Sequence, residues 1–198
     1  MIIRCFIFDL DGTIVDSNYD WQKIRREIGC GKESILSYLE RLAEPEKSQK
    51  RSVLQQYEEY ATHGAKLKDG IREFLSYLRS KKVNTALATN NSQANTDFLL
   101  KKFNLSFDLV VTRDSGLWKP SALPLVKIAD HFQVARNECA VVGDSVFDVL
   151  AAKEAGISHI FIISKDNLTF SQLSVQVFSN VIDLDRFVRK ELFLEEEK

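Results

Sequence analysis

Hydrophobic positions along the chain form short uninterrupted runs, separated by segments with helical spacing. The runs cover residues 2–8, 83–88, 109–111, 139–142 and 159–163, with a weaker one at 177–179. Runs of this length with little polar alternation are typical of strands that are buried on both faces of a parallel sheet. Between the runs, apolar residues recur three and four positions apart, which predicts helices. The pattern therefore predicts an α/β fold, a three-layer Rossmann-like core with a mainly parallel sheet.

Residues 17–67 interrupt this alternation. The segment contains no convincing strand and is rich in Lys, Arg, Glu and Gln, and its spacing predicts two or three amphipathic helices with breaks near residues 29–31 and 43–45. We therefore expect an α/β core formed by residues 1–16 and 68–198, with a small helical domain inserted at 17–67. A last helix is expected after Asp183, fraying at residues 195–197.

Composition narrows the class of partner. The chain has 198 residues, 44% of them apolar, and its 27 basic residues nearly balance 28 acidic ones. A balanced charge provides no overall field toward nucleic acid or an anionic membrane, so we expect a small-molecule partner, with the protein a monomer or a homodimer. Three cysteines without a Cys-x-x-Cys pair indicate neither a disulfide framework nor a zinc site, which fits a reducing, cytoplasmic location. The first apolar run is too short to span a bilayer.

Acidic residues follow two of the predicted strands. Asp9 and Asp11 come directly after the first run, at a turn marked by Gly12, and Asp144 and Asp148 follow the fourth. Ligands of open parallel sheets bind outside the carboxyl ends of the strands, so these acids are candidates for one pocket. One carboxylate can attack or bind a metal while another moves protons, and Mg²⁺ prefers one or two carboxylates beside water and phosphate. Each pair is also compatible with simple helix capping.

Two further segments supply candidates for phosphate binding. Thr89 and Asn90 end the second run, where a hydroxyl and backbone N–H groups at a helix start suit a phosphate oxygen. Ser92 in the same segment is more simply explained as a helix N-cap. Lys119-Pro120 precedes a later helix, and by itself such a dipeptide is usually part of the surface.

Taken together, these segments resemble the haloacid dehalogenase-like hydrolase superfamily, in particular phosphatases similar to phosphoglycolate phosphatase. Those phosphatases share Asp-x-Asp-Gly-Thr, a strand ending in Ser or Thr, a Lys, and Gly-Asp-x-x-x-Asp, in that order. The chain has all four, as Asp9-Leu10-Asp11-Gly12-Thr13, Thr89, Lys119 and residues 143–148. The resemblance covers residues 1–15 and 68–163.

The resemblance implies a Mg²⁺-dependent phosphatase that hydrolyses a small phosphate monoester through an aspartyl-phosphate. Asp9 would be the nucleophile and, through its other oxygen, a metal ligand. Asp11 would be the general acid and base and would bind the metal through its backbone carbonyl. Asp144 would be the third protein ligand, and Thr13 a supporting residue of the first motif.

The same resemblance assigns the phosphate contacts. Thr89 and the backbone N–H of Asn90 would hold phosphoryl oxygens. Lys119 would neutralise charge on both the nucleophile and the phosphate, and Asp148 would steady Lys119 or metal-bound water. Dehalogenation is disfavoured, because dehalogenases of the superfamily lack the second acid that Asp11 provides.

Two other functions stay open. A phosphomutase or phosphotransferase would use the same two acids but pass the phosphoryl group to a sugar instead of water. A non-catalytic binding module would keep the fold without turnover. The complete set of motifs argues against the second of these.

The insertion at 17–67 occupies the position of a cap that, in relatives, closes over the pocket. It is short for a four-helix cap, so specificity for phosphoglycolate is only one candidate. A cation at the start of the insertion could meet an anionic substrate group, or the charges could lie in water; the residues concerned are Trp21, Lys23, Arg25 and Arg26. Trp118 could line the rim of the pocket or pack inside the protein.

Overall fold

The computed structural model of the chain describes residues 3–166 and 168–193. In chain order, the strands are β1 (Cys5–Phe8), β2 (Val15–Asp16), β3 (Lys66–Leu67), β4 (Asn84–Ala88), β5 (Leu109–Val111), β6 (Cys139–Gly143), β7 (His159–Ile163) and β8 (Gln176–Phe178). The helices are α1 (Trp21–Ile28), α2 (Ile35–Glu40), α3 (Glu46–Gly64), α4 (Ile71–Ser80), α5 (Gln93–Phe103), α6 (Leu123–His131), α7 (Val146–Glu154) and α8 (Val181–Phe187). The α/β class expected from the sequence is confirmed.

Six strands form one parallel sheet in the order β5-β4-β1-β6-β7-β8. The chain starts in the centre at β1, extends the sheet to one side through β4 and β5, and then crosses to the other side of β1 to add β6, β7 and β8. This reversal makes the carboxyl end of β1 a topological switch point, where ligands of open α/β sheets bind.

Both faces of the sheet are covered, which explains why β1 is apolar at every position. Phe6 and Phe8 point into a core shared with helices α4, α5 and α8. Cys5 and Ile7 point to the opposite face, into a core shared with α6 and α7. Since successive side chains of a strand alternate between faces, a strand in a three-layer fold needs apolar residues at even and odd positions alike.

Helices α1, α2 and α3 form the insertion between β2 and β3, and we call them the helical insert. They have a small core of their own, made of Ile24, Ile28, Cys30, Ile35, Leu39 and Leu54. Asp20 caps the start of α1, where its side chain accepts a hydrogen bond from the Lys23 amide, and Gly29 caps the end with a left-handed φ of 77°. The breaks expected near residues 29–31 and 43–45 are present.

The short antiparallel pair β2–β3 corrects one expectation. We expect no strand within 17–67, yet Lys66–Leu67 pairs with Val15–Asp16 and brings the two ends of the insertion together. Strands of two residues carry no periodic pattern that a sequence could reveal.

The last helix, α8, begins two residues before Asp183 and continues as a π-helical turn at Val188–Leu192. The fraying expected at 195–197 lies outside the described residues. Among the residues described, no helix is both long and apolar enough to cross a bilayer.

Candidate active site

The register of the three central strands brings their carboxyl ends to one level. Phe8 pairs with Leu87 of β4 and with Val142 of β6. Asp9, Thr89 and Asp144 each follow within two residues of these positions, so they emerge together at the switch point. The Asp9 amide still donates to the Val142 carbonyl at 2.8 Å, which fixes the backbone of Asp9 to the sheet.

A tight loop after β1 returns Asp11 to the same edge. Its backbone closes through the Gly12 amide, which donates to the Val15 carbonyl at 2.7 Å, and Gly12 has a left-handed φ of 84°. A Cβ at position 12 would lie 1.9 Å from Oδ2 of Asp144. Glycine is therefore required twice here, for the backbone conformation and for the close approach of Asp144.

Lys119 joins two of the acids. Its Nζ donates to Oδ1 of Asp9 and to Oδ1 of Asp148, both at 2.6 Å, and all three side chains are buried. Burial opposes the charged ammonium, but the carboxylates of Asp148 and Asp9 outweigh it and raise the pKa of Lys119. The group is therefore a permanent cation beside Asp9 at neutral pH.

The backbone of Lys119 is held by Asn90. The Asn90 side chain accepts from the Lys119 amide and donates to the Lys119 carbonyl, both at 2.8 Å. This pair of bonds links the loop after β4 to the loop that carries the lysine. The amide side chain of Asn90 thus has a positioning role that the sequence did not suggest.

Both carboxylate oxygens of Asp11 accept hydrogen bonds. Ser17 Oγ donates to Oδ1 at 2.5 Å, and Asn91 Nδ2 donates to Oδ2 at 2.9 Å. Burial raises the pKa of Asp11, and these two bonds partly oppose that rise. An acid with a raised pKa in a fixed orientation suits a group that has to give and take a proton.

Burial and repulsion between neighbouring carboxylates raise the pKa values of Asp9 and Asp144. Burial raises the pKa of Asp9 to about 7, although Lys119 acts to lower it. Burial, followed by repulsion from Asp9 and Asp148, raises the pKa of Asp144 to about 8. An added cation would relieve the cost of ionising both groups.

The arrangement fits a hard divalent cation. Asp9, Asp144 and Asp148 each offer a carboxylate oxygen, and these oxygens lie within 4.8 Å of one another. Asp148 is already engaged, since one oxygen accepts from Lys119 and the other from the amide and hydroxyl of Ser145 at the start of α7. Asp9 and Asp144 are therefore the carboxylates available to a metal ion, and a cation such as Mg²⁺ needs only one or two.

A cavity of about 330 Å³ opens over these groups, between the sheet edge and the helical insert. Its walls include six of the residues selected from the sequence, Asp9, Asp11, Thr89, Asn90, Lys119 and Asp144. Asp148 lies beneath them, 1% exposed. Thr13 does not line the cavity; its hydroxyl is buried and has no hydrogen-bond partner among the described residues. Ser92 caps α5, as the simpler interpretation holds.

The insertion and the sheet are linked by a largely buried ion pair, which the sequence did not suggest. Arg113, just after β5, pairs with Glu58 of α3 through both of its terminal nitrogens, with Nη2 at 2.7 Å from Oε2. Arg113 Nη1 also donates to the Asn90 carbonyl at 3.3 Å, and both members of the pair line the cavity. The position of Arg113 just after a predicted strand could have drawn attention to it, because ligands bind at the carboxyl ends of the strands. Nothing in the helical pattern of α3 distinguishes Glu58.

Only two of the four residues considered at the start of the insertion lie at the cavity. Trp21 and Arg25 line the cavity. Lys23 instead lies over the ring of Tyr57, with Nζ 5.5 Å from its centroid, and Arg26 is exposed. Trp118 lies outside this cavity and donates through Nε1 to Ser37 of α2 at 3.2 Å.

Comparison with known proteins agrees with this geometry. Residues 3–156 match the family model described as haloacid dehalogenase-like hydrolase. A phosphoglycolate phosphatase of Nitrosospira multiformis is 31% identical over 81% of this chain and 83% of its own length. An uncharacterized hydrolase of Saccharomyces cerevisiae is 28% identical over 96% of this chain and 94% of its own. A hydrolase from Pseudomonas syringae has a similar fold, with a TM-score of 0.78 and 21% identity over 96% of this chain and 99% of that one.

Proposed function

Because the chain belongs to the haloacid dehalogenase-like hydrolase family, we propose that it is a Mg²⁺-dependent phosphatase acting on a small phosphate monoester, with Asp9 as nucleophile. The relative named as a phosphoglycolate phosphatase supports phosphatase chemistry. The observation that carries the proposal is the convergence on one cavity of a carboxylate at the switch point, a second acid two residues later and a buried ammonium group.

In the first step, an oxygen of Asp9 attacks the phosphorus atom. The new Asp9 O–P bond forms as the ester P–O bond breaks, and the electron pair of that bond passes to the leaving oxygen. Asp11 gives this oxygen its proton. Lys119 stabilises the negative charge, which in phosphoryl transfer is spread over the equatorial oxygens.

In the second step, water attacks the phosphorus of the aspartyl-phosphate and gives a proton to Asp11. The Asp9 O–P bond breaks, and inorganic phosphate leaves with both acids restored. Splitting hydrolysis into two displacements is the usual gain of covalent catalysis. Thr89 and the Asn90 backbone amide would hold the phosphoryl oxygens.

Mg²⁺, held by Asp9 and Asp144 with the Asp11 carbonyl, would neutralise phosphate charge and help orient the ester. The raised pKa values of Asp9 and Asp144 support this assignment, because a bound cation would lower the cost of ionising two buried carboxylates.

The test is a screen of phosphate esters with Mg²⁺, in which released inorganic phosphate is measured for the wild type and for Asp9→Asn. We expect release by the wild type and a loss of roughly 10³-fold or more in the variant. Asp130→Asn, an exposed acid on α6, is the matched control and should keep full activity. Activity in Asp9→Asn equal to wild type would refute the assigned nucleophile.

The same screen addresses the phosphomutase alternative. A mutase converts a hexose phosphate into its isomer without releasing a matching amount of phosphate. Stoichiometric phosphate release supports hydrolysis, whereas isomer formation without it would replace the proposal.

A further inference from the structure

One part of the cavity wall is largely apolar. It is formed by side chains from the helical insert, the segment leading into it and the start of α7, and we call it the apolar wall: Tyr19, Trp21, Ile35, Leu36, Leu54 and Phe147. Two of its rings, Tyr19 and Trp21, stack with centroids 4.4 Å apart and an angle of 23° between their planes. If the phosphoryl group lies against Asp9, the leaving group of the ester has to face this wall.

Few polar groups on that side are free to bind a leaving group. Glu58 is committed to Arg113 through both carboxylate oxygens. Ser34 Oγ caps α2 by accepting from the Ser37 amide, which leaves its one hydroxyl hydrogen and the indole N–H of Trp21 as neutral donors. A leaving group with many hydroxyls would therefore lose hydrogen bonds to water without regaining them in the cavity, which disfavours sugar phosphates.

Arg25 is the exception. It is half-buried in the cavity wall, and its Nη1 donates to the Gly31 carbonyl at 2.7 Å and to the Glu33 carbonyl at 2.6 Å. Within the described residues it has no carboxylate within ion-pair distance, in contrast to Arg113. The guanidinium is thus held in place by the backbone while its charge is not neutralised, which favours an anion in the cavity.

Resting on the proposed function, we propose that the preferred substrate is a phosphate ester whose leaving group joins an apolar, ring-sized body to one anionic group. The body packs on the apolar wall, and Arg25 receives the anion. A volume of about 330 Å³ lies at the small end of ligand pockets and suits one ring beside the phosphoryl group.

The test compares kcat/KM for four alkyl esters, whose leaving groups have similar basicity: benzyl phosphate, 4-carboxybenzyl phosphate, glycerol phosphate and glucose 6-phosphate. We expect both aromatic esters to exceed both polyhydroxyl esters by roughly tenfold or more, with the carboxylated ester the best. Sugar or glycerol esters turned over as well as the aromatic ones would overturn the inference and leave the phosphatase assignment intact. No phosphate release from any ester would overturn the phosphatase assignment, and the inference with it.

Variants isolate the anion contact. Arg25→Gln should lower kcat/KM for 4-carboxybenzyl phosphate roughly 10- to 100-fold while lowering that for benzyl phosphate at most about threefold. Arg25→Lys should give an intermediate loss with the carboxylated ester. Arg26→Gln, the exposed neighbour on the same helix, is the control and should change neither. An equal fall for both aromatic esters in Arg25→Gln would mean that Arg25 only supports the loop at 31–33, and would refute its role toward an anion.

Discussion

Nζ of Lys119 lies 2.6 Å from Oδ1 of Asp9, although the two residues are separated by 110 positions in the chain. The same ammonium lies 2.6 Å from Asp148, so one cation serves two buried carboxylates. This contact links the segment after β5 to the centre of the sheet, and it explains how an acid with little solvent exposure can stay available as an anion.

Removal of that cation should damage both activity and stability. We expect Lys119→Met to lower kcat/KM by about 10²-fold or more, because charge stabilisation of the transferring phosphoryl group is lost. The free energy of unfolding at pH 8 should fall by about 2–4 kcal/mol, since Asp9 and Asp148 are left buried without their partner. The fall should be smaller at pH 5, where Asp9, whose pKa is raised by burial, can take up a proton.

Denaturant unfolding and phosphate release measure the two effects. Lys127→Met, an exposed lysine on α6, is the matched control and should change neither by a measurable amount. A Lys119→Met protein as stable as wild type at pH 8 would contradict the coupling of Lys119 to the two acids.

Loss of the second acid should depend on the leaving group. Asp11→Asn should slow hydrolysis of an alkyl phosphate roughly 10²–10⁴-fold, because the alkoxide needs a proton as it leaves. The loss should be much smaller for 4-nitrophenyl phosphate, whose leaving group is stable without a proton. Rates with the two esters measure this, with Asp16→Asn, an exposed acid in β2, as control. The same loss with both esters would argue against Asp11 as the general acid.

Gly12 should be needed for the metal site more than for the fold. In Gly12→Ala the new Cβ would collide with the Asp144 carboxylate, so that the carboxylate has to move, and the left-handed backbone would add about 1–2 kcal/mol of strain. We expect Mg²⁺ affinity, followed by calorimetry, to drop roughly 10- to 100-fold. Gly64→Ala is the control, because a Cβ added there would meet nothing within 4 Å and its φ is not left-handed. Unchanged affinity in Gly12→Ala would show that Asp144 is not a ligand.

The pKa shifts predict how metal-free stability varies with pH. Asp9 and Asp144 have folded-state pKa values of about 7 and about 8, above the usual value of 3.8, so between about pH 4 and 8 the folded protein holds protons that the unfolded chain has released. Stability should therefore fall as pH rises through this range. The thermal midpoint in EDTA should be lower at pH 8 than at pH 5, by about 2–4 °C for each kcal/mol lost.

Mg²⁺ should reverse this fall, because it binds the ionised carboxylates of the folded state. At pH 8 the midpoint should rise when Mg²⁺ replaces EDTA, and the rise should be absent in Asp9→Asn/Asp144→Asn. A metal-free midpoint that increases from pH 5 to pH 8 would contradict the shifts on which this prediction depends.

Much of the core follows from the chain alone. Unbroken apolar runs such as Cys5–Phe8 can be satisfied only by a strand covered on both faces, and the acids after them had to emerge at strand ends. The short pair β2–β3 could not be anticipated, because two residues carry no periodicity. Its pairing depends on the helical insert returning to the place where it left the sheet.

The sequence by itself determined the parallel α/β class, the location of the helical insertion and the set of acids, hydroxyl and lysine that meet at the switch point. Tertiary structure alone decided that Glu58 meets Arg113, that Asn91 and Ser17 hold Asp11, and that Arg25 faces the cavity while Lys23 does not. The reason is physical. Strand order and burial are imposed by local hydrophobic pattern, whereas the direction in which a helical side chain points depends on how its helix packs against residues distant in the chain.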